Sequence, residues 1–152
     1  MEIILAENHG FCYGVKRAVE MANEAADGKG KSYTLGPIIH NPQVVGRLES
    51  KGVSPIQEVA DIDEGTMIIR SHGVGPAIYA EAEEKGLHIL DATCPHVKKA
   101  QQDAKSVIED GMTLVILGEK NHPEVKSINL WANNKGIIIE DEESAQKLQI
   151  VE

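Results

Sequence analysis

The chain has 152 residues, of which 41% are hydrophobic and 26% are charged. This balance is typical of a folded globular protein and excludes wholesale disorder. The 15 basic and 24 acidic residues give a formal net charge of -9, which argues against the basic surface that nucleic-acid-binding proteins carry. Any phosphate-binding site must therefore be built locally, from histidines, backbone N–H groups and the N-termini of helices.

The sequence shows no sign of a membrane or secretory role. Its apolar runs are shorter than the roughly 20 residues of a membrane-spanning helix. The N-terminus begins with a strand-like pattern and no signal or transit segment. Cys12 and Cys94 are too few to form the disulfide framework of a small secreted protein. We therefore expect a cytoplasmic protein that does not associate with membranes.

Strand-like and helix-like segments alternate along the chain. Short aliphatic runs predict strands, in chain order, at residues 2–6, 32–35, 66–70, 87–90, 112–117 and 137–139. Apolar residues at helical spacing, or residues typical of helix starts, predict helices that begin near residues 15, 42, 78, 95, 124 and 141. This alternation is typical of an α/β fold, in which helices pack on the faces of parallel sheets.

The long helix after residue 95 predicts a boundary between two modules. We expect a first α/β module at residues 1–95 and an incomplete second α/β module at residues 96–152, because the second part contains only two predicted strands. Parallel sheets are normally covered on both faces. The sequence is therefore expected to be a fragment of something longer.

Five Cys or His residues stand where a strand-like stretch ends and a helix-like stretch follows. They are Cys12, His40, His72, Cys94 and His122. In α/β folds, ligands bind just beyond the carboxyl ends of parallel strands. If the segments share one sheet system, these five side chains are expected to converge on one site although they are far apart in sequence.

Cys12 and Cys94 each stand at the opening of a predicted helix. The positive end of the helix dipole favours the thiolate, which is the form that binds metals. This setting favours metal or cluster ligation over two inert, buried thiols. A zinc site that combines Cys12 and Cys94 with two histidines would also satisfy the four-coordinate preference of zinc, and the spacing leaves it open.

His40, His72 and His122 lie in loops that are rich in Gly and Pro. Such loops hold a side chain rigidly and leave backbone N–H groups free for an anion. Three histidines in equivalent positions favour binding of a phosphate, although metal ligation and helix capping remain open. Glu124, two residues after His122, is either an ordinary first-turn acid or a proton donor beside a bound anion.

Five motifs together resemble the signatures of the 4-hydroxy-3-methylbut-2-enyl diphosphate reductases. They are Gly-Phe-Cys-Tyr-Gly-Val at residues 10–15, Ile-Ile-His-Asn-Pro at 38–42, Ile-Arg-Ser-His-Gly-Val at 69–74, Asp-Ala-Thr-Cys-Pro at 91–95 and His-Pro-Glu-Val at 122–125. The resemblance implies an enzyme of the last step of the methylerythritol phosphate route to isoprenoids. Such an enzyme removes the hydroxyl of its substrate as water, using electrons and protons, and yields isopentenyl and dimethylallyl diphosphate.

The resemblance also assigns a role to each matching residue. It implies a 4Fe-4S cluster held by three cysteines, of which Cys12 and Cys94 would be two. It implies that His40, His72 and His122 hold the diphosphate and that Glu124 delivers protons. A ferredoxin or flavodoxin would supply the electrons, and the fold would be a trefoil of three α/β modules.

The chain departs from the family pattern because the third cluster cysteine is missing from it. Cysteine thiolates supply most of a protein's hold on such a cluster, so we expect the isolated chain to be cluster-free and inactive. Two alternatives remain. One is a non-catalytic module that binds a diphosphate, and the other is a zinc-binding protein that uses Cys12 and Cys94.

Overall fold

The structure is a computed structural model that describes residues 2–28 and 30–148. Its main helices and strands are α1 (Tyr13–Asp27), β1 (Ser32–Leu35), α2 (Pro42–Glu49), β2 (Val53–Ile56), β3 (Thr66–Ile69), α3 (Pro76–Glu84), β4 (His88–Asp91), α4 (Pro95–Glu109), β5 (Val115–Leu117), α5 (Pro123–Trp131), β6 (Ile137–Ile139) and α6 (Glu142–Gln146). A short 3-10 helix at Val59–Asp61 follows β2.

The strands form two parallel sheets. One has four strands in the order β2-β1-β3-β4, and the other consists of β5 and β6. In the larger sheet, Ser32 pairs with both Val53 and Thr66, and Thr66 pairs with His88. All four strands therefore begin level and end level, so the loops that follow them leave from one edge. The predicted α/β fold with parallel sheets and flanking helices is confirmed.

Both faces of the larger sheet are covered, as a parallel sheet requires. On one face, α1 and α2 pack on the sheet through a cluster of buried residues that includes Ala18, Ala22 and Leu48. On the other face, α3 and the 3-10 helix pack through a cluster that includes Val59 and Ala82. The sheet is thus a rigid support for the loops at its edge.

Helices α2, α3, α4 and α5 each begin with a proline at the first or second helical position. Proline is favoured there because its missing N–H would have no helical partner and its φ is already helical. In α2 the Asn41 side chain also accepts a hydrogen bond from the Val44 N–H at 3.1 Å. These local signals explain why the sequence predicted the helix starts closely.

The predicted strand at residues 2–6 is wrong. The segment is irregular, and Ile3, Ile4 and Leu5 are 73%, 83% and 77% exposed. Within the described residues it pairs with neither sheet. An apolar run has the composition of a strand, but it becomes one only where a neighbouring strand supplies hydrogen-bond partners.

Two further differences concern strands. Strand β2 was not predicted from the sequence, because it contains Pro55, which lacks an N–H. An edge strand tolerates such a residue, and β2 lies at the edge of its sheet. The strand predicted at residues 112–117 is shorter than expected and begins at Val115. The Met112 N–H instead donates to the Val107 carbonyl at the end of α4.

Residue 95 falls between the two sheets, where α4 begins. The division into modules at residues 1–95 and 96–152 stays a prediction, and its outer ends, residue 1 and residues 149–152, lie outside the described residues. Among the helices of the described part of the chain, none combines the length and the apolar character that a membrane crossing requires.

Candidate functional site

Three imidazole rings converge at the edge of the larger sheet. The ring centroid of His40 lies 4.5 Å from that of His72 and 6.1 Å from that of His122. The centroids of His72 and His122 are 5.7 Å apart. One nitrogen of each ring lies within 4.8 Å of the others. The predicted convergence of these three residues is therefore observed, and we call them the histidine trio.

The trio is held in place by the ends of two strands and the start of one helix. His40 follows β1, His72 follows β3, and His122 is the residue before α5. The loops of His40 and His72 are joined because the Ser71 N–H and hydroxyl lie 3.4 and 3.3 Å from the Ile38 carbonyl oxygen, to which they donate. These bonds fix two of the imidazoles relative to each other.

A buried serine connects His72 to α5. The Ser127 Oγ lies 2.8 Å from the His72 carbonyl oxygen and 2.9 Å from the Glu124 carbonyl oxygen, so its single O–H is shared between these two acceptors. The Gln101 Nε2 in turn donates to Ser127 Oγ at 3.2 Å. Ser127 and Gln101 are each only 2% exposed. Helices α4 and α5 are thereby locked to the loop that carries His72.

The environment of His122 determines which ring nitrogen carries its proton in the neutral form. The Glu124 N–H donates to His122 Nδ1 at 3.3 Å, so Nδ1 is an acceptor. A neutral imidazole with an acceptor at Nδ1 has its hydrogen on Nε2. His122 can therefore offer an Nε2–H donor to a ligand while it caps the start of α5.

His72 has the most perturbed environment of the trio. Burial, and then the positive charges of His40, Arg70 and His122, lower the pKa of His72 to about 4. Its Nδ1 is buried without a hydrogen-bond partner. At neutral pH the ring is thus uncharged, and an anion bound beside it would favour its protonation.

The two cysteines are free thiols that stand at helix starts, as predicted. Cys12 precedes α1 and is exposed, and Cys94 precedes α4 and is partly buried. A Cβ added to Gly14 would lie 2.4 Å from the Cys94 sulfur. The absence of a side chain at Gly14 therefore lets the Cys94 thiol pack on the first turn of α1, the helix that begins directly after Cys12.

Long-range hydrogen bonds hold the Cys94 turn in place. The Arg17 side chain of α1 donates to the carbonyl oxygens of Thr93 and Asp91 at 3.2 and 3.4 Å. The Asp91 carboxylate accepts from the Thr93 N–H at 3.0 Å and from the Lys98 amino group at 2.6 Å. Burial opposes ionisation of Asp91, but these hydrogen bonds outweigh it and lower its pKa.

The cysteine and histidine parts of the site are neighbours. The Cys94 N–H donates to the Ser71 carbonyl oxygen at 2.9 Å, and Ser71 directly precedes His72. Glu124 lies in the first turn of α5, two residues after His122, and is half-buried. One expectation is corrected: Cys12 follows an irregular segment, so only four of the five residues follow a strand.

The three histidines are grouped as possible metal ligands, and the two cysteines are not part of that group. In the part of the chain that the structure describes, the histidine trio is the group of at least three His, Cys, Asp or Glu residues that meets metal-ligand spacing, and it contains neither cysteine. Among the described residues, no such group combines Cys12 and Cys94 with two histidines, which is the arrangement that the zinc alternative requires. The sequence does not identify Arg17, Gln101 or Ser127 as site residues, because no local motif marks a polar side chain that bonds to a distant element.

The chain is similar in sequence to one known family. The family model described as LytB protein matches residues 3–152. The 4-hydroxy-3-methylbut-2-enyl diphosphate reductase of Geotalea uraniireducens (strain Rf4) is 51% identical over 148 residues, which are 97% of this chain and 52% of that protein. The protein of the same name from Pelobacter propionicus is 50% identical over 151 residues, which are 99% of this chain and 54% of that protein. The chain spans about half the length of the curated relatives it matches.

Solved structures agree with the sequence comparison. A structure of (E)-4-hydroxy-3-methyl-but-2-enyl diphosphate reductase matches with a TM-score of 0.82 at 47% identity, over 95% of this chain and 53% of that one. The structure of E-1-hydroxy-2-methyl-but-2-enyl-4-diphosphate reductase from Plasmodium falciparum gives a TM-score of 0.91 at 32% identity, over 95% of this chain and 46% of that one. The resemblance seen in the five motifs is confirmed. The chain belongs to the LytB protein family.

Proposed function

We propose that this chain carries the diphosphate-binding and part of the cluster-binding machinery of a 4-hydroxy-3-methylbut-2-enyl diphosphate reductase. The observation that carries the proposal is the convergence of three imidazoles within 6.1 Å of one another at a sheet edge that also bears Cys94. Relatives that bear this enzyme's name are about 50% identical to the chain, which supports the same activity.

The histidine trio is the proposed diphosphate site. Each imidazole can donate at least one N–H to a phosphate oxygen, and the His122 cap leaves its Nε2–H free to do so. Burial, and then repulsion from neighbouring positive charges, keep His72 neutral, and an anion between the rings would oppose both effects. Binding is therefore expected to draw a proton onto the trio. The net charge of -9 gives no long-range attraction, which makes these local donors decisive.

Cys12 and Cys94 are the proposed ligands for an iron–sulfur cluster. Thiolates are the ligands such clusters prefer, and both sulfurs stand at helix N-termini, which favour the thiolate. The side-chain-free position at Gly14 leaves space for the Cys94 sulfur beside α1. The two thiols are therefore of the right chemical type to bind an iron–sulfur cluster, but such a cluster normally has more than two thiolate ligands. A bound cluster would supply the electrons for reductive removal of the substrate hydroxyl.

Glu124 is the proposed proton donor. It lies in the first turn of α5, two residues after His122, and its backbone N–H donates to the His122 ring. A carboxyl group near a bound anion has a raised pKa and can serve as an acid. With this activity we propose a cytoplasmic enzyme that receives electrons from a ferredoxin or flavodoxin.

A hybrid protein tests the proposal. Residues 1–148 of this chain replace the matching part of the Geotalea uraniireducens reductase, and the hybrid is treated anaerobically with iron and sulfide. We expect a coloured protein that converts 4-hydroxy-3-methylbut-2-enyl diphosphate to isopentenyl and dimethylallyl diphosphate. Cys12→Ser or Cys94→Ser should lower the amount of iron that the protein binds. Glu124→Gln should leave iron binding and diphosphate binding unchanged and lose most of the turnover.

The same hybrid separates the alternatives. A folded hybrid that binds the diphosphate but no iron would favour a non-catalytic diphosphate-binding module. Stoichiometric zinc that is lost in either cysteine variant would favour the zinc protein. Unchanged turnover in Glu124→Gln would remove Glu124 from the proton path without affecting the assignment of the histidine trio. The unsubstituted reductase, treated in parallel, controls for the iron and sulfide treatment.

A further inference from the structure

A second pocket lies at the same sheet edge, next to the histidine trio but lined by other side chains. Its volume is about 340 Å³. Residues that directly follow three strands line one side, namely Gly36 after β1, Gln57 after β2 and Arg70 after β3, and Asn121 and Lys126 line the α5 side. None of the three histidines contributes to this lining. We call this space the Arg70 pocket.

The Arg70 guanidinium is the feature that calls for a ligand. The side chain is half-buried, and its Nε is shielded from solvent without a hydrogen-bond partner. In residues 2–28 and 30–148, the guanidinium makes no hydrogen bond or ion pair with another side chain or carbonyl group. A half-buried guanidinium that lines a cavity and has no partner in the described part of the protein is available to bind an anion.

The side chains that line the pocket also favour an anion over a cation. Arg70 and Lys126 contribute two positive charges, and among the residues that the structure describes no acidic side chain lines the pocket, although acidic residues outnumber basic ones in the chain. The amide groups of Gln57 and Asn121 add further hydrogen-bond donors. Guanidinium, ammonium and amide groups together suit a compact oxyanion that can accept several hydrogen bonds at once.

The position of Arg70 is fixed by the fold. A Cβ added to Gly36 would lie 2.8 Å from the Arg70 Nη1, so the guanidinium packs directly against the backbone that follows β1. Gly36 has a φ of 71°, a left-handed conformation in which glycine is favoured. The guanidinium is therefore held at the carboxyl ends of the strands, where α/β folds bind ligands.

We propose that the Arg70 pocket is a binding site for a small phosphate-type oxyanion, separate from the histidine trio. Arg70 makes the principal contact, and Lys126 adds the second positive charge from α5. The inference does not depend on the proposed reductase activity, because it concerns other side chains and a different cavity.

Inorganic phosphate is the probe that tests this proposal. The parent protein carries His40→Gln and His72→Gln, so that binding of the probe to the histidine trio is strongly weakened. Calorimetric titration is expected to show one phosphate per chain. Arg70→Gln should weaken binding by about 10- to 100-fold, as expected for loss of hydrogen bonds to a charged group, and Lys126→Gln should weaken it less. The matched control is Lys99→Gln, since Lys99 lies on α4 and pairs with Asp103.

The phosphate titrations either support or overturn the proposed site. Binding that falls in Arg70→Gln and Lys126→Gln but not in Lys99→Gln supports the site. Absence of phosphate binding in the parent protein, or equal binding in all variants, overturns it. Thermal unfolding checks that each variant is folded. If Arg70→Gln does not fold, Lys126→Gln and Gln57→Leu test the site instead, because Lys126 and Gln57 are exposed and their substitution is not expected to disturb the fold. Diphosphate binding by the unsubstituted chain is measured separately, so failure here leaves the histidine trio unaffected.

Discussion

His72 lies between two other imidazoles and close to the Arg70 guanidinium, and it is half-buried. Burial and these positive charges lower its pKa to about 4 from the ordinary value of 6.5. Between these two pH values the unfolded chain binds a proton at this residue and the folded chain does not. Falling pH therefore favours the unfolded state over this range.

We predict that the free energy of unfolding falls as the pH is lowered from about 6.5 to about 4. The full shift corresponds to about 3 kcal/mol, and solvent screening at a half-buried site reduces this to roughly 1–2 kcal/mol. Urea unfolding as a function of pH measures it. His72→Gln should flatten the slope, whereas His88→Gln, outside the trio, should keep it. An equal slope in His72→Gln and the unsubstituted chain would contradict the assignment.

At the scale of residues, the sequence predicted the groups that carry chemistry but not those that hold them. His40, His72 and His122 were predictable because each lies in a Gly- or Pro-rich loop where a strand gives way to a helix. Ser127 and Gln101 were not, because a buried polar side chain is recognised only by its distant partners. The low pKa of His72 likewise depends on neighbours that the fold brings together.

Helix α1 shows how an element can depend on one missing side chain. Gly14 is buried in its first turn, and a Cβ there would meet the Cys94 sulfur at 2.4 Å. Glycine otherwise lowers helix stability relative to alanine by roughly 0.5–1 kcal/mol. The close approach of the Cys94 thiol therefore accounts for a residue that is locally unfavourable.

We predict that Gly14→Ala destabilises the chain by roughly 1–3 kcal/mol, because the added methyl group must displace the sulfur or the helix. Gly46→Ala in α2 is the matched control, since a Cβ there meets nothing within 4 Å. That substitution should stabilise the chain by about 0.4–1 kcal/mol. Urea unfolding compares the two. A gain in stability for both alanine variants would show that Gly14 is not needed for packing of Cys94.

The elements themselves were predictable where local signals and tertiary structure agree. Helix starts with a proline in the first turn were placed closely, since that signal is local. The segment at residues 2–6 and strand β2 were not, because strand formation depends on a neighbour. An apolar segment without a partner stays irregular, and a Pro-containing segment becomes an edge strand when one is available.

At the scale of the whole molecule, the site results from parallel pairing. Level strand ends bring loops from β1, β3 and β4 to one edge, where hydrogen bonds of Ser71 join these loops to one another. Ser127 joins α5 to the loop of His72. The sequence predicted this convergence from the general rule for α/β sheets. It could not predict the distances, nor the Arg70 pocket, because these depend on how loops from separate elements pack.

The most direct test of the central claim is the affinity of the chain for inorganic diphosphate, measured by calorimetric titration. His40→Gln, His72→Gln and His122→Gln should each weaken binding by about tenfold or more, since each removes a hydrogen bond to a charged group. His88→Gln is the control, because His88 lies at the start of β4, outside the histidine trio. Unchanged affinity in all three trio variants, or an equal loss in His88→Gln, would contradict the assignment of the trio as the diphosphate site.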